Sequence, residues 1–306
     1  MLQLLIEEVT GMDFTSFMKK EVLTNLKMDN SSFQWEEYLF HNTAKAYDEG
    51  LELLPNYLFI EKAAAGLYTT VEDMSKLVIE EINSYKESGL LNNQTILKMY
   101  EPVLEVKGLE GFIYQNTALG HFVNIDSNNN MLVAHDGGNN GWRANFIIAP
   151  DKGHGIVVLT NGNNGIYLIN EVLNSWNFTV FEQDSSFNKL AHYLQSAVYA
   201  ISSILFLWSV LILFGLISGI KSGSKEIKVL SNIMSLMIKC SISAVLIYFV
   251  YLCKSILVPI LGLINPYIGN LLVIGILVRV IVLIFQIFVV KKHSYTVNTN
   301  EQSNPF

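Results

Sequence analysis

Apolar side chains recur at helical spacing along the first residues of the chain, then at strand spacing, then without interruption. Leu2–Val9 predicts a short helix that stops at Gly11, a residue suited to the left-handed position beyond a helix end. Asp13 suits the N-cap of a second helix reaching about Leu26, with Phe14, Phe17, Val22 and Leu26 turned inward. Residues 27–62 are irregular and rich in aromatics. Thr70-Val-Glu-Asp73 reads as an N-cap with an acidic third position and opens a helix to about Tyr85. A shorter helix covers Asn93–Tyr100. Beyond it the period falls to two, predicting strands near Ala118–Ile125, Met131–His135, Arg143–Ala149 and Ile156–Thr160. Pro150-Asp-Lys-Gly-His-Gly155 has the composition of a hairpin connection between the last two. A final helix at about Ile166–Trp176 completes an α+β order: helices, an antiparallel sheet, a covering helix.

The remainder of the chain is different. From Tyr193 to Ile220 run 28 consecutive uncharged residues, where about 20 suffice to cross the hydrocarbon of a bilayer. A second apolar stretch lies within Val229–Leu263, interrupted by Lys239 and Lys254, and a third runs from about Ile268 to Val290 with Arg279 inside it. The chain therefore divides into a head, residues 1–189, and an all-α membrane anchor, residues 190–306, with spans at about 196–220, 232–258 and 268–290. Snorkelling, or pairing with polar groups inside the bundle, accounts for the embedded cations. A transport pathway would need facing acidic groups, and the spans hold none.

Composition and charge sharpen this division. The chain is 51% hydrophobic and 15% charged, too oily for an ordinary soluble domain and the opposite of a disordered one. A pI near 5.4 argues against nucleic acid as a partner. Residues 1–189 carry 12 Lys/Arg against 25 Asp/Glu, a net of −13, and residues 190–306 carry 8 against 2, a net of +6. Lys221, Lys225 and Lys228 follow the first span and Lys291 and Lys292 follow the last. With three spans both clusters fall on one side, expected to be the cytoplasm. The head is then extracytoplasmic and the C-terminus cytoplasmic, in a multi-pass protein of the cell membrane. Both cysteines, Cys240 and Cys253, lie in the second apolar stretch, so the head has neither a disulfide framework nor a thiol metal site. His121 and His154 have no metal-ligand spacing and read as solvated. No metal and no cofactor are expected.

The densest cluster of candidate chemistry is Ala134-His-Asp-Gly-Gly-Asn-Asn-Gly-Trp142. By itself it reads as a tight Gly/Asn turn carrying a surface histidine. In its context it resembles the serine β-lactamase and penicillin-binding-protein-like family, in the class C β-lactamase, esterase and D-aminopeptidase branch. The resemblance runs over residues 1–165. It rests on Leu5-Ile-Glu-Glu-Val-Thr-Gly11, Asn25-Leu-Lys-Met28, Ala44-Lys-Ala-Tyr-Asp48, Ala64-Ala-Gly-Leu-Tyr-Thr-Thr-Val-Glu-Asp73, and His135-Asp-Gly137 followed by Gly138 and Gly141-Trp142. The last matches the third active-site motif, His-x-Gly in this branch.

The resemblance implies the C-terminal part of a β-lactamase-like fold. His135 would bind substrate and tune the active-site hydroxyls, and the N–H of Gly138 would supply half of an oxyanion hole. Asp136, Gly137 and Asn139 would line the substrate, a cell-wall or peptide-like small molecule. The family's nucleophilic Ser-x-x-Lys and its Tyr-x-Asn belong before the Glu7-Glu8 helix, and neither is found there. Ser16-Phe-Met-Lys19, Ser186-Phe-Asn-Lys189, Ser222-Gly-Ser-Lys225 and Tyr114-Gln-Asn116 match the patterns at the wrong places, at a frequency chance supplies. The expectation is thus an N-terminally truncated serine hydrolase of amides or esters, inactive by itself. Its N-terminal strands missing, a partner chain would cover the exposed sheet edge. The alternative is a non-catalytic, membrane-anchored module that binds an envelope ligand or a protein.

Overall fold

In the computed structural model of the chain, the described residues are 1–35, 43–55, 57–108, 110–126, 128–182, 186–228, 232–258, 261, 265 and 267–292. They form two compact units, Met1–Lys189 and Leu190–Phe306. The ends of the second apolar stretch and residues 293–306 lie outside the described residues.

Helix α1 (Leu2–Thr10) ends where Gly11 turns left-handed and returns its N–H to Glu7. Asp13 then caps α2 (Phe14–Phe17), accepting from the N–H groups of Thr15 and Ser16. The expected continuation to Leu26 is not regular: a π-helical turn occupies Met18–Leu23. Its wider turn moves the inward stripe. Phe14, Leu23 and Met28 are buried, whereas Phe17, Val22 and Leu26 are only half-buried. The irregular stretch that follows contains a small hairpin, β1 (Ala46–Tyr47) with β2 (Leu53–Leu54), and a single turn, α3 (Lys62–Ala65).

Helix α4 (Val71–Tyr85) starts as its sequence predicts, with the Thr70 hydroxyl accepting from the N–H of Asp73. The Asp73 carboxylate does not reach back to complete a capping box. It is fully buried and accepts from the N–H of Asn30, the hydroxyl of Ser31 and the ammonium of Lys76, at 2.8, 2.8 and 2.7 Å. Burial pushes this carboxyl up, but those three partners together outweigh it and hold it below its ordinary range. Asp73 thereby fixes the loop after the π turn to the start of α4. Asn92 caps α5 (Asn93–Tyr100) in the same way as Thr70 caps α4.

The sheet has six antiparallel strands in chain order: β3 (Leu104–Glu105), β4 (Asn116–Thr117), β5 (Phe122–Ile125), β6 (Met131–Asn139), β7 (Trp142–Ala149) and β8 (His154–Thr160). Each strand is joined to the next by a short connection, so neighbours in sequence are neighbours in the sheet. Val123, Val133 and Ile148 project from one face onto Val78 and Ile82 of α4 and Ile96 and Tyr100 of α5. Helix α6 (Gly165–Phe181), which runs five residues past the predicted end at Trp176, lies against β7 and β8 and buries Ile169.

Under the sheet sits a polar group that the sequence reading places in solvent. His121 is buried, not solvated. Its Nε2 lies 3.2 Å from the Glu81 carboxylate, which also accepts from Tyr100 Oη at 2.8 Å. Its Nδ1 lies 2.9 Å from the Leu119 carbonyl. Both ring nitrogens face acceptors, an arrangement satisfied only when both carry protons. Burial lowers the affinity of this ring for its second proton, but Glu81 and Leu119 raise it by more, so His121 titrates above its ordinary 6.5. His154, in contrast, is exposed at the start of β8.

In the second unit, α7 (Ser186–Lys221), α8 (Ile233–Leu252, extended by a π turn at Cys253–Leu257) and α9 (Ile268–Phe288) follow one another. Each has a segment long and apolar enough to cross a membrane: Lys189–Lys221, Ile233–Leu257 and Ile268–Phe288. Asn232 caps α8. Leu272, Val273 and Ile276 of α9 pack with Val198 of α7 and Leu246 and Val250 of α8. Two short strands, β9 (Lys225–Ile227) and β10 (Val289–Lys291), pair antiparallel and set Lys225 opposite Lys291. The two basic clusters flanking the spans therefore meet.

The Glu81–His121 pair makes a signed prediction. A pKa raised on folding stabilises fully below the unfolded value and is lost as pH rises through the folded value. Thermal unfolding of the full chain in detergent, from pH 6 upward, is expected to show falling stability of the head above pH 6.5. Glu81→Gln, which keeps an acceptor for Tyr100, is expected to remove that slope and to cost about 1–3 kcal/mol near pH 6.

Candidate active site

The His135–Trp142 cluster is not simply a turn. Strand β6 runs through it to Asn139, paired with β7 over Val133–Asn139, and only Asn140 and Gly141 lie outside the ladder. On its other side β6 is paired with β5 over Met131–Ala134 alone, because β5 begins at Phe122, opposite Ala134. His135 to Asn139 thus form a free edge in the middle of the sheet. Four of these residues, His135 to Gly138, are exposed.

The register determines which backbone groups that edge presents. In a two-residue hairpin the closing pair, here Asn139 with Trp142, exchanges both hydrogen bonds, and the pattern then alternates along the ladder. Asn139, Gly137 and His135 spend their N–H and C=O groups on β7. Gly138 and Asp136 turn theirs the other way, continuing the row with which Leu132 and Ala134 face β5. Beyond Ala134 no strand among the described residues meets that row. An extended ligand can pair with it as an added strand would.

Side chains leave this row uncovered. A Cβ at Gly137 would meet only Ala144 Cβ at 3.7 Å, and one at Gly138 would approach the end of Arg143 at 3.2 Å. The head's own packing does not demand glycine at Gly137, so what the two glycines provide is access. His135 projects to the face that carries the core, its ring near those of Phe146 (6.4 Å between centroids) and Phe122 (5.9 Å). Phe146 in turn meets His121 edge-on. Asp136 and Gly138 share the opposite face with their cross-strand partners Asn145 and Arg143.

That opposite face holds residues the sequence reading did not single out as site residues. Arg143 donates to the carbonyls of Asn139 and Trp142, at 2.9 and 2.8 Å, and so lies across the hairpin beside Gly138. Asn145 donates to Tyr114 Oη, while its own Oδ1 is buried without a partner. Tyr114 is buried and stacked on Phe122 at 4.0 Å. Burial, and after it the Asp136 carboxylate, push its hydroxyl far above its ordinary value. It keeps its proton and is unfit as a general base. Cross-strand position relative to the cluster was the available signal for Arg143 and Asn145; for Tyr114 only the fold supplies one.

The hairpin tip is clamped from two sides. Gly141 has a φ of +82°, and a Cβ there would stand 2.6 Å from that of Ala46 in β1. Its N–H donates to Asn163 Oδ1 at 2.7 Å, and Asn163 Nδ2 reaches Asn140 at 3.2 Å. Asn163 is bonded through its own N–H to Tyr47. Asn139 Nδ2 reaches the Ala65 carbonyl at 3.4 Å.

Of the serine patterns, Ser16 alone lies among the described side chains of the head. Asp13 takes the Ser16 backbone N–H and its hydroxyl as part of the α2 cap. Ser222 belongs to the second unit, where it bonds to Gly219 and Ser224. The side chain of Ser186 lies outside the described residues. Among the described residues no group of three or more His, Cys, Asp or Glu could hold a metal ion.

A family model described as Beta-lactamase matches residues 1–167. No curated protein matches the chain. Among solved structures, similarity is found to the octameric penicillin-binding protein homologue from Pyrococcus abyssi, at 24% identity and a TM-score of 0.46, covering 53% of this chain and 36% of that one. A class C β-lactamase variant is similar at 19% identity and a TM-score of 0.45, covering 53% and 51%. A β-lactamase/D-alanine carboxypeptidase from Pseudomonas syringae gives 15% and 0.44, covering 53% and 52%. The chain spans about a third to a half of the length of these structures. With the family model covering more than half of the chain, the protein belongs to the Beta-lactamase family.

Proposed function

We propose that the head docks a peptide-like acyl donor along the free edge of β6 and that the apolar helices hold it at the cell membrane, head outward. The observation that carries this reading is the unpaired backbone row of Asp136 and Gly138, left bare by glycine. A substrate amide or ester laid on that row would place its carbonyl oxygen toward the Gly138 N–H. A fixed N–H at that position stabilises the negative charge of a tetrahedral intermediate formed by acyl transfer to a serine. His135 would contact the leaving side of the substrate and orient hydroxyls there, with Asp136, Gly137 and Asn139 lining the edge. A D-amino-acid or peptidoglycan-like substrate suits an extended backbone partner of this kind.

Acyl transfer also needs a nucleophile and a base acting as a unit. Ser16 serves a helix cap and Tyr114 is buried and protonated, so residues 1–306 taken alone are read as binding without turnover. These same two observations favour a second reading, a ligand-binding module with no catalytic cycle. The meeting of Lys225 with Lys291 supports a cytoplasmic side shared by both basic clusters.

Gly138→Pro tests the binding edge. It deletes one outward N–H and removes no donor or acceptor from the β6–β7 ladder, because Gly138 does not bond to β7. With the full chain in detergent, affinity for an N-acyl-D-alanyl-D-alanine peptide is expected to fall about tenfold, the worth of one hydrogen bond. Unchanged affinity with native stability would refute the edge as the binding site. Exposure to a fluorescent penicillin or a fluorophosphonate is expected to leave the chain unlabelled. A stoichiometric adduct on any serine would overturn the reading of binding without turnover.

A further inference from the structure

Among its described residues the second unit carries a cation with no carboxylate beside it. Arg279 sits next to the midpoint of α9, about 15 Å of helix from either end at 1.5 Å per residue. Its guanidinium lies over the Trp208 ring of α7, 4.2 Å from the centroid, a favourable arrangement for a cation and an indole. Nη1 is nevertheless buried without a hydrogen-bond partner. The hydroxyls of Ser202 on α7 and Ser243 on α8 share that condition. Lys239 differs: it donates to the Gln286 carbonyl near the end of α9 at 2.9 Å.

Helices α7 and α9 meet closely one turn before Arg279, where a Cβ on Gly275 would stand 3.6 Å from Ser202 Cα. Trp208 itself is 52% exposed, so the Arg279–Trp208 pair opens toward the outside of the bundle. Between residues 190 and 292 the sequence contains one carboxylate, Glu226, and it lies on β9, outside the three helices.

We infer that the α7–α9 face around Arg279 and Trp208 docks a transmembrane helix of a different protein that carries one carboxylate at mid-depth. The inference rests on the reading that these helices cross a membrane. A charge at the centre of a bilayer is costly and marks a partner or a pathway. A second copy of this chain brings no carboxylate into the spans. Lipid phosphates lie at the helix ends, beyond the reach of a side chain anchored at mid-helix. A carboxylate on a neighbouring helix matches the cation in both charge and depth, and its apolar flanks match the exposed Trp208.

The test uses the full chain in phosphatidylcholine vesicles with acceptor-labelled, leucine-rich transmembrane peptides of about 20 residues. One peptide has a single central Glu, one has Gln, and one is apolar throughout. Energy transfer from the labelled chain is expected to report about tenfold tighter association with the Glu peptide than with the apolar one. Arg279→Leu, which only makes α9 more apolar, is expected to erase the preference while the chain still floats with the vesicles. Equal association of the three peptides, or a preference that survives Arg279→Leu, would overturn the inference. Loss of the preference on adding phosphatidylglycerol would overturn it too, by naming a lipid headgroup as the occupant. A chain that fails to float refutes the membrane reading and this inference with it; a chain that floats without preference refutes this inference alone.

Discussion

Strand β6 outlasts β5, and the site follows from that difference in length. Two strands of equal length would close the row of backbone groups on Asp136 and Gly138 with ladder hydrogen bonds. Because β5 starts only at Phe122, opposite Ala134, and β7 continues to Trp142, opposite Asn139, one side of β6 is satisfied while the other is open. An open row of N–H and C=O groups is a liability in most sheets. Here it is short, central and flanked by glycine, and the tip beyond it is held by Asn163 and by the contact of Gly141 with Ala46. Rigidity at the tip and vacancy along the edge are what a binding strand requires.

The core beneath the strand has an unusual feature for so small a head. Glu81, His121 and Tyr100 form a buried polar group beside the apolar residues, Val78, Ile82 and Ile96, with which α4 and α5 meet the sheet. A buried ion pair gains little over an apolar contact of the same shape, and losing one partner of it is costly. Its placement gives it significance here: the His121 ring meets Phe146, which in turn stacks beside His135. The charge state of the core and the position of His135 share that aromatic wall.

Local pattern made several elements readable in the sequence. Thr70 and Asn92 announce α4 and α5 because capping is a local interaction, and the β7–β8 connection is announced by its proline and glycines. What sequence could not supply depends on distant partners. Asp73 looks like half of a capping box until Asn30, Ser31 and Lys76 draw its carboxylate away. His121 sits in a polar turn and reads as solvated, yet Glu81, forty residues earlier, buries it. The π turn at Met18–Leu23 shifts the inward stripe from Leu26 to Leu23 and Met28, a change that a fixed helical period cannot express. His135-Asp-Gly-Gly-Asn139 has the composition of a turn and becomes strand only because β7 pairs with all of it. The third-motif residues themselves were visible, through the order of five family segments, whereas Arg143 and Asn145 take their place only through the register.

Residue-resolved hydrogen exchange along β6 addresses the open edge most directly. In the free protein, the amides of Asp136 and Gly138 are expected to exchange as exposed groups while those of His135, Gly137 and Asn139 are protected by β7. Binding of an N-acyl-D-alanyl-D-alanine peptide is expected to protect Gly138 and to leave Gly137 unchanged. Uniform protection of all five amides in the free protein would contradict the open row, and with it the binding site built upon it.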